Sequence, residues 1–183
     1  MKKLVVILML FFGALSLSSA QGIKPPAEGK AVVYFTRVSS MGFAINFSYF
    51  DKDKFIGKFN GPKYLRYECE PGEHLFWATS ENRDFVVAEL EAGKIYFIEA
   101  VPKMGAIKAG VQLIPVNPTD AKKIAKIEKL LNKKPSESFS NSELESETKI
   151  LQEKISSGLA KYEEEQAKGK KAERLEKTMF YAK

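Results

Sequence analysis

The chain has 183 residues, with 29 lysines and arginines against 23 aspartates and glutamates, and a formal net charge of +6. Removal of Lys2 and Lys3 with the leader described below leaves +4, a surplus too small to indicate nucleic-acid binding. Cys69 is the single cysteine, which excludes an intramolecular disulfide, so the fold must be held by its hydrophobic core.

Residues 1–20 have the layout of a secretory signal peptide. Two lysines precede an apolar stretch at 4–17, and small residues at 18–20 provide a cleavage site before Gln21. The apolar stretch is shorter than the roughly 20 residues that span a bilayer, which favours cleavage over an uncleaved anchor. We therefore expect an exported protein that is periplasmic or extracellular, with a peripheral position at the outer membrane as one option.

After an N-terminal linker at 21–28, residues 29–116 are predicted to form an antiparallel β-sandwich. Apolar and aromatic residues alternate there, and turn signals recur every eight to twelve residues, as is typical of such folds. We expect about seven to eight strands, drawn from residues 31–35, 43–50, 54–59, 63–69, 73–79, 83–90, 95–101 and 110–116. The second strand is predicted from apolar residues at spacing two: Phe43, Ile45, Phe47 and Tyr49.

Pro71-Gly72 predicts a tight hairpin between the fourth and fifth strands. Proline presets the first central turn position and glycine supplies the positive φ of the second. The resulting register pairs Cys69 with His74, Tyr67 with Phe76, and Leu65 with Ala78. All six would lie on one core-facing side. The opposite side is expected to be partly covered and carries Arg66, Glu68, Leu75 and Trp77.

Residues 117–132 are predicted to form an amphipathic helix, with Asn117 as N-cap and Pro118 in the first helical position. Its apolar side has Ala121, Ile124, Ile127 and Leu131. Its other side has a lysine stripe of Lys122, Lys126, Lys129 and Lys133. Packing on the sandwich with the lysines in water is favoured. Attraction to anionic lipid is the second interpretation, and nucleic acid is not expected.

A linker at 133–141 precedes a charged helical tail at 142–183. Ser142 and Glu145 fit a capping box. An apolar seam, interrupted at Gly158, resembles a short coiled coil and consists of Leu144, Thr148, Leu151, Ile155 and Tyr162. The seam predicts self-association, a partner helix, or folding back onto the sandwich. Residues 163–177 have no apolar stripe and are predicted to be solvated or frayed.

Four pieces of the β half resemble one bacterial family. They are Lys30 to Arg37 (KAVVYFTR), Tyr64 with its following strand, Pro71 to His74 (PGEH) and Ala92 to Phe97 (AGKIYF). On these pieces, residues from about 29 to 115 are similar to an exported domain of unknown function, number twenty-eight forty-six in that series. The resemblance implies an exported β-sandwich, often tied to the cell envelope, with no assigned reaction. Some relatives look like lipoproteins, but this chain lacks the cysteine that lipid attachment requires.

Few residues of the chain could carry chemistry. Cys69 and His74 could form a thiolate pair, but a buried structural cysteine is favoured. Structural zinc takes four cysteine or histidine ligands and the chain has two, while Asp51 and Asp53 fit a charged turn better than a calcium loop. Aromatic residues at strand spacing are expected in the core rather than on a ligand platform: Tyr34, Phe47, Tyr49 and Trp77. We therefore predict no catalytic, cofactor-binding or metal-binding residue, and no cofactor.

The sequence favours a non-enzymatic exported β-sandwich module that acts through protein or cell-envelope contacts. Its partner would be an unknown protein, an envelope surface or a second copy bound through the C-terminal helix. The alternative is a small-ligand binding protein with an apolar or glycan ligand held between sheet and helix. An enzyme would need a convergent polar constellation, which these residues do not provide.

Overall fold

The computed structural model describes residues 22–104 and 109–182, which form nine strands and three helices. The predicted signal peptide lies outside the described residues. The strands are β1 (Ala31–Arg37), β2 (Phe47–Asp51), β3 (Lys54–Phe59), β4 (Lys63–Cys69), β5 (Gly72–Thr79), β6 (Arg83–Leu90), β7 (Ile95–Met104), β8 (Ala109–Pro115) and β9 (Glu173–Leu175). The helices are α1 (Ala121–Lys133), α2 (Asn141–Ile150) and α3 (Gln152–Ala167).

The strands form two sheets packed face to face. The first sheet has the order β4-β1-β7-β8, and the second has the order β3-β2-β5-β6-β9. This arrangement confirms the predicted mainly-β sandwich with a C-terminal helical extension. Most neighbouring strands are antiparallel, but β1 lies parallel to β7 and β6 lies parallel to β9. Parallel neighbours require a crossover connection. Between β1 and β7 the chain makes this crossover by forming four strands of the second sheet, β2, β3, β5 and β6.

The buried apolar side chains form three hydrophobic clusters. The inner core lies between the sheets and includes Val33, Phe35, Tyr49, Phe76 and Ile98. The first outer cluster joins α1 to the first sheet and includes Tyr34, Phe97, Ile127 and Leu131. The second outer cluster joins α2 and α3 to the second sheet and includes Phe50, Phe55, Trp77, Phe85 and Ile155. The layers therefore follow the order helix, sheet, sheet, helix.

Helices on both outer faces explain the burial of the central strand. All seven residues of β1 are buried, as expected when both faces of a sheet are covered. The prediction that four strand aromatics belong to the core is confirmed. None of them has any solvent-accessible surface: Tyr34, Phe47, Tyr49 and Trp77.

The turn at Pro71-Gly72 joins the two sheets, and the predicted hairpin is wrong. Cys69 at the end of β4 lies opposite Ala31 of β1, and His74 in β5 lies opposite Ala88 of β6. Gly72 has a φ of 116°, which permits the chain to pass from one sheet to the other. The predicted core face is nevertheless correct, because both strands direct that face into the space between the sheets. Four of the predicted residues lie in the inner core: Leu65, Cys69, Phe76 and Ala78.

Both predicted helix starts are displaced. The N-cap of α1 is Asp120, whose carboxylate accepts from the Lys123 N–H at 3.0 Å. Asn117 instead accepts from Thr119 in the preceding turn. The capping box of α2 uses Ser140 and Glu143, two residues before the predicted pair, and the preceding Phe139 packs against Phe55. Competing S-x-x-E matches stand two residues apart here, and tertiary packing of the preceding residue distinguishes them.

The predicted coiled-coil seam faces the protein's own second sheet. Ile155 is 2% exposed within the second outer cluster, and Leu144, Leu151 and Tyr162 are partly buried beside it. The seam is divided between α2 and α3, which meet at Leu151. These contacts correspond to the folded-back alternative, and self-association through the helix stays a prediction.

The end of the chain, predicted to be solvated or frayed over 163–177, packs back onto the sandwich. After α3, β9 adds to the edge of the second sheet and buries Leu175 completely. Tyr181 then reaches the first sheet, where its N–H donates to the Ile95 carbonyl at 2.7 Å and its hydroxyl donates to Glu128 at 2.6 Å. The anchoring residues are single apolar side chains in a charged segment, so they form no periodic stripe that sequence analysis could recognise.

Candidate functional site

The only histidine and the only cysteine of the chain line one pocket at an end of the sandwich. The pocket has a volume of about 310 Å³ and also contains Asp51, Tyr67 and Lys30. Asp51 is the last residue of β2, and its carboxylate Oδ2 lies 2.7 Å from His74 Nδ1. The Tyr67 hydroxyl donates to the same oxygen at 3.1 Å. The cluster therefore ties together strands of both sheets.

Sequence analysis expected Cys69 and His74 to be close but missed Asp51, which it assigned to a charged turn. The Asp51 side chain is only 9% exposed. The alternation that directs Phe47 and Tyr49 into the inner core continues at spacing two to Asp51. That continuation was the available signal that this carboxylate faces inward.

His74 is held in its charged form. Burial lowers its pKa, but this effect is outweighed by the hydrogen bond to Asp51, the contact with Cys69, the Asp51 charge and the Glu70 carbonyl, which together raise the pKa to about 10. The ring nitrogen Nε2 lies 2.9 Å from the Glu70 carbonyl oxygen, and Nδ1 faces the carboxylate. Both nitrogens of the imidazolium are therefore donors, and neither has a lone pair to accept a proton.

The Cys69 thiol lies in the same pocket as the Asp51–His74 pair. Cys69 is 8% exposed, and its sulfur lies 4.0 Å from the Ala31 carbonyl oxygen. A catalytic thiolate is stabilised by a neighbouring base or cation, whereas the two ring nitrogens of His74 are directed at oxygen atoms of Asp51 and Glu70. Among residues 22–104 and 109–182, no group of three or more histidine, cysteine, aspartate or glutamate side chains is placed to hold a metal ion. The Asp51–His74 pair acts as a buried electrostatic clamp.

We expect the fold to lose stability as the pH rises from about 6.5 to about 10. Histidine has a pKa near 6.5 in the unfolded chain, whereas the folded value for His74 is about 10. The stabilisation is therefore complete below pH 6.5 and is lost as the pH rises through the folded pKa. The loss should be roughly 3–5 kcal/mol over this window. Urea unfolding at a series of pH values measures it.

The matched control for this pH dependence is His74→Gln, which cannot titrate. Its free energy of unfolding should lack the part of the slope that belongs to His74, while other titrating groups contribute equally in both proteins. Identical pH slopes for the two proteins would contradict the assignment of the charged histidine.

A second candidate feature lies at the opposite end of β1, where the loop 38–46 connects to β2. Arg37 is completely buried, and its guanidinium donates to the carbonyl oxygens of Ile45 at 2.7 Å, Met41 at 2.8 Å and Gly42 at 2.6 Å. It also lies 4.3 Å from the centre of the Phe47 ring. Burial lowers the pKa of Arg37, but an arginine remains charged in proteins. The buried guanidinium is therefore bound by carbonyl oxygens of the loop, and not by a carboxylate.

The loop presents large apolar side chains to solvent. Phe43 is 69% exposed and Met41 is 48% exposed, while Gly42 between them has a φ of 62° that closes the turn. Phe43 was predicted in a strand, but β2 begins only at Phe47, and the Arg37 side chain binds carbonyl groups on both sides of Phe43, those of Gly42 and Ile45. A contiguous exposed apolar patch is typical of an interaction site, and these two exposed side chains lie two residues apart on one loop.

Replacing Arg37 by methionine is expected to release the loop. Methionine fills a similar volume but leaves three carbonyl groups without their donor, so the free energy of unfolding should fall by about 2–4 kcal/mol. Chymotrypsin should cleave after Phe43 at least about tenfold faster, because cleavage requires local opening. Mass spectrometry of the fragments locates the cut.

The control for the loop prediction is Arg83→Met, since the Arg83 guanidinium makes a hydrogen bond to Ser157 far from the loop. Cleavage after Phe43 should be unchanged in that variant. Equal cleavage rates in Arg37→Met and the unchanged protein would show that the guanidinium does not order the loop.

Comparisons with known proteins identify one relative and leave the family open. No family model matches the chain, and no solved structure matches it. A Haemophilus influenzae protein described as uncharacterized is 31% identical over 108 residues. The match covers 58% of this chain and 64% of that protein, so it spans less than two thirds of the relative's length. Membership in the family of number twenty-eight forty-six stays a prediction.

Proposed function

We propose that the protein is a non-enzymatic exported β-sandwich module that acts through contacts with a protein or with the cell envelope. The observation that carries the proposal is the apolar loop of Met41 and Phe43, held in one conformation by Arg37. A contact loop that is already ordered loses little conformational entropy when it binds, which strengthens association. The N-terminal segment at 1–20 supports export by its sequence.

The non-enzymatic part of the proposal is supported by the engagement of both ring nitrogens of His74, one with the Asp51 carboxylate and the other with the Glu70 carbonyl. The small-ligand alternative is less well supported. It requires an apolar space between a sheet and its helix, but buried side chains fill the centre of the space beneath α1, among them Tyr34, Phe97, Ile127 and Leu131. The cavity of about 440 Å³ at the edge of α1 has polar Glu128 and Asn132 in its lining beside Ile95 and Tyr181.

Site-specific photo-crosslinking in producing cells tests the proposal. A photoreactive amino acid replaces Phe43 in the full chain, and the matched control places it at Ile150, which is 71% exposed compared with 69% for Phe43. We expect a discrete adduct from position 43 and none from position 150. The adduct should disappear when Arg37→Met is introduced, since the loop then loses its fixed conformation.

Two outcomes would overturn the proposal. Adducts of equal yield from both positions would mean that apolar exposure alone causes crosslinking. Recovery of the protein in the cytoplasmic fraction, with residues 1–20 still attached, would remove the exported setting in which the contacts are proposed to form.

A further inference from the structure

The solvent face of α1 carries a row of four lysines. The exposed positions of this helix hold two alanines, one asparagine and four lysines, which are Lys122, Lys126, Lys129 and Lys133. None of the four forms an ion pair within the described part of the chain. Over eleven residues at 1.5 Å per residue, the row is about 16 Å long.

Ion pairs neutralise several lysines in another charged segment of the same protein. Along α3 and the turn after it, Lys161 and Lys168 pair with Glu164, and Lys170 pairs with Glu165. The lysine of α1 that does not belong to the exposed row, Lys123, pairs with Glu99. The outer face of α1 is therefore a localised positive surface in a chain whose overall surplus is small.

We infer that the outer face of α1 docks on a membrane surface that contains anionic phospholipid. This inference rests on the proposed function, of which it specifies one envelope contact. Lysine ammonium groups attract anionic headgroups as individual point charges, and each lysine near such a surface adds attraction. A row on a convex helix suits a planar array of phosphates. Nucleic acid fits less well, because the row has no arginine or aromatic side chain to engage bases.

Lysine footprinting on the full chain tests this inference directly. The protein is mixed with vesicles of phosphatidylcholine, with or without phosphatidylglycerol, and acetylated with an amine-reactive reagent. Mass spectrometry then gives the rate at each lysine. We expect acetylation of the α1 row to slow by about fivefold with phosphatidylglycerol only, and the protection to disappear in high salt. Control lysines in the same chain are exposed and should stay reactive: Lys149, Lys154, Lys168 and Lys171.

A matched pair of variants separates local docking from net charge. The first changes the four α1 lysines to glutamine, and the second changes the four control lysines to glutamine. For each variant, vesicle sedimentation with and without phosphatidylglycerol gives a ratio of bound fractions that isolates the contribution of the anionic headgroups. The α1 variant should lose at least about tenfold in this ratio, whereas the control variant should keep it.

Three results would overturn the inference. They are unprotected α1 lysines, equal losses in the two variants, and stronger protection by a short DNA duplex than by vesicles at equal phosphate concentration. Each measurement uses purified protein and synthetic vesicles, so its failure is distinguishable from failure of the crosslinking experiment at Phe43, which is performed in cells.

Discussion

Replacing Gly158 by alanine is expected to destabilise the protein, although alanine normally favours a helix by about 1 kcal/mol. A Cβ at this position would lie 2.6 Å from Cη2 and 2.9 Å from Cζ3 of Trp77. The indole cannot move aside easily, because it is completely buried, stacks on Phe50 at 3.9 Å and donates to the Lys52 carbonyl at 2.8 Å. We expect a net loss of about 2–4 kcal/mol, and a larger one for valine.

Urea unfolding measures this loss, and two further variants make it specific. Ser156→Ala changes an exposed position of the same helix and should alter the free energy of unfolding by less than about 0.5 kcal/mol. Trp77→Phe removes the ring atoms that the new methyl group would strike. The loss of unfolding free energy in the double variant should therefore be at least about 1 kcal/mol smaller than the sum of the losses in the two single variants. An unchanged or increased stability of Gly158→Ala would refute the close contact.

Replacing His74 by alanine is expected to have a comparably large effect on stability. The variant leaves the Asp51 carboxylate, 9% exposed, without its cation, and breaking a buried pair in this way typically costs about 3–5 kcal/mol. Adding Asp51→Asn should recover at least about 1 kcal/mol, because the remaining group is then neutral. Urea unfolding at pH 6 gives both values.

A control for His74→Ala exists at the same end of the sandwich. Lys30 and Glu70 form an exposed ion pair, with side chains 38% and 72% accessible. Lys30→Ala should therefore reduce stability by no more than about 1 kcal/mol. If His74→Ala lowers the free energy of unfolding no more than Lys30→Ala does, the Asp51–His74 pair is not among the interactions that hold the two sheets together.

Local pattern predicted the strands well and their partners poorly. The bounds of β3, β4 and β6 agree with the predicted ones, because alternation and turn residues act over a few positions. The strand that pairs with β4 was predicted wrongly. Pro71-Gly72 is compatible with either a hairpin or a passage between sheets, and the choice depends on β1, more than thirty residues away. The same limit hid the anchoring role of Leu175 and Tyr181.

The candidate sites show the same contrast between features that the local sequence predicts and features that depend on the rest of the fold. The proximity of Cys69 and His74 followed from alternation on two strands that face one core, even though the register was wrong. Arg37 escaped prediction because a cation at a strand end usually faces water. Its burial depends on carbonyl groups of a loop that the arginine itself shapes, and such mutual dependence has no signature in a short sequence window.

The position of Tyr181 closes the structure over a long stretch of sequence. Residues that follow α3 supply the ninth strand and the contacts to Ile95 and Glu128. Contacts between segments so far apart in sequence require the closure of long loops, which carries a large entropic cost. We therefore expect the edge of the second sheet and the cover of the first sheet to form late in folding.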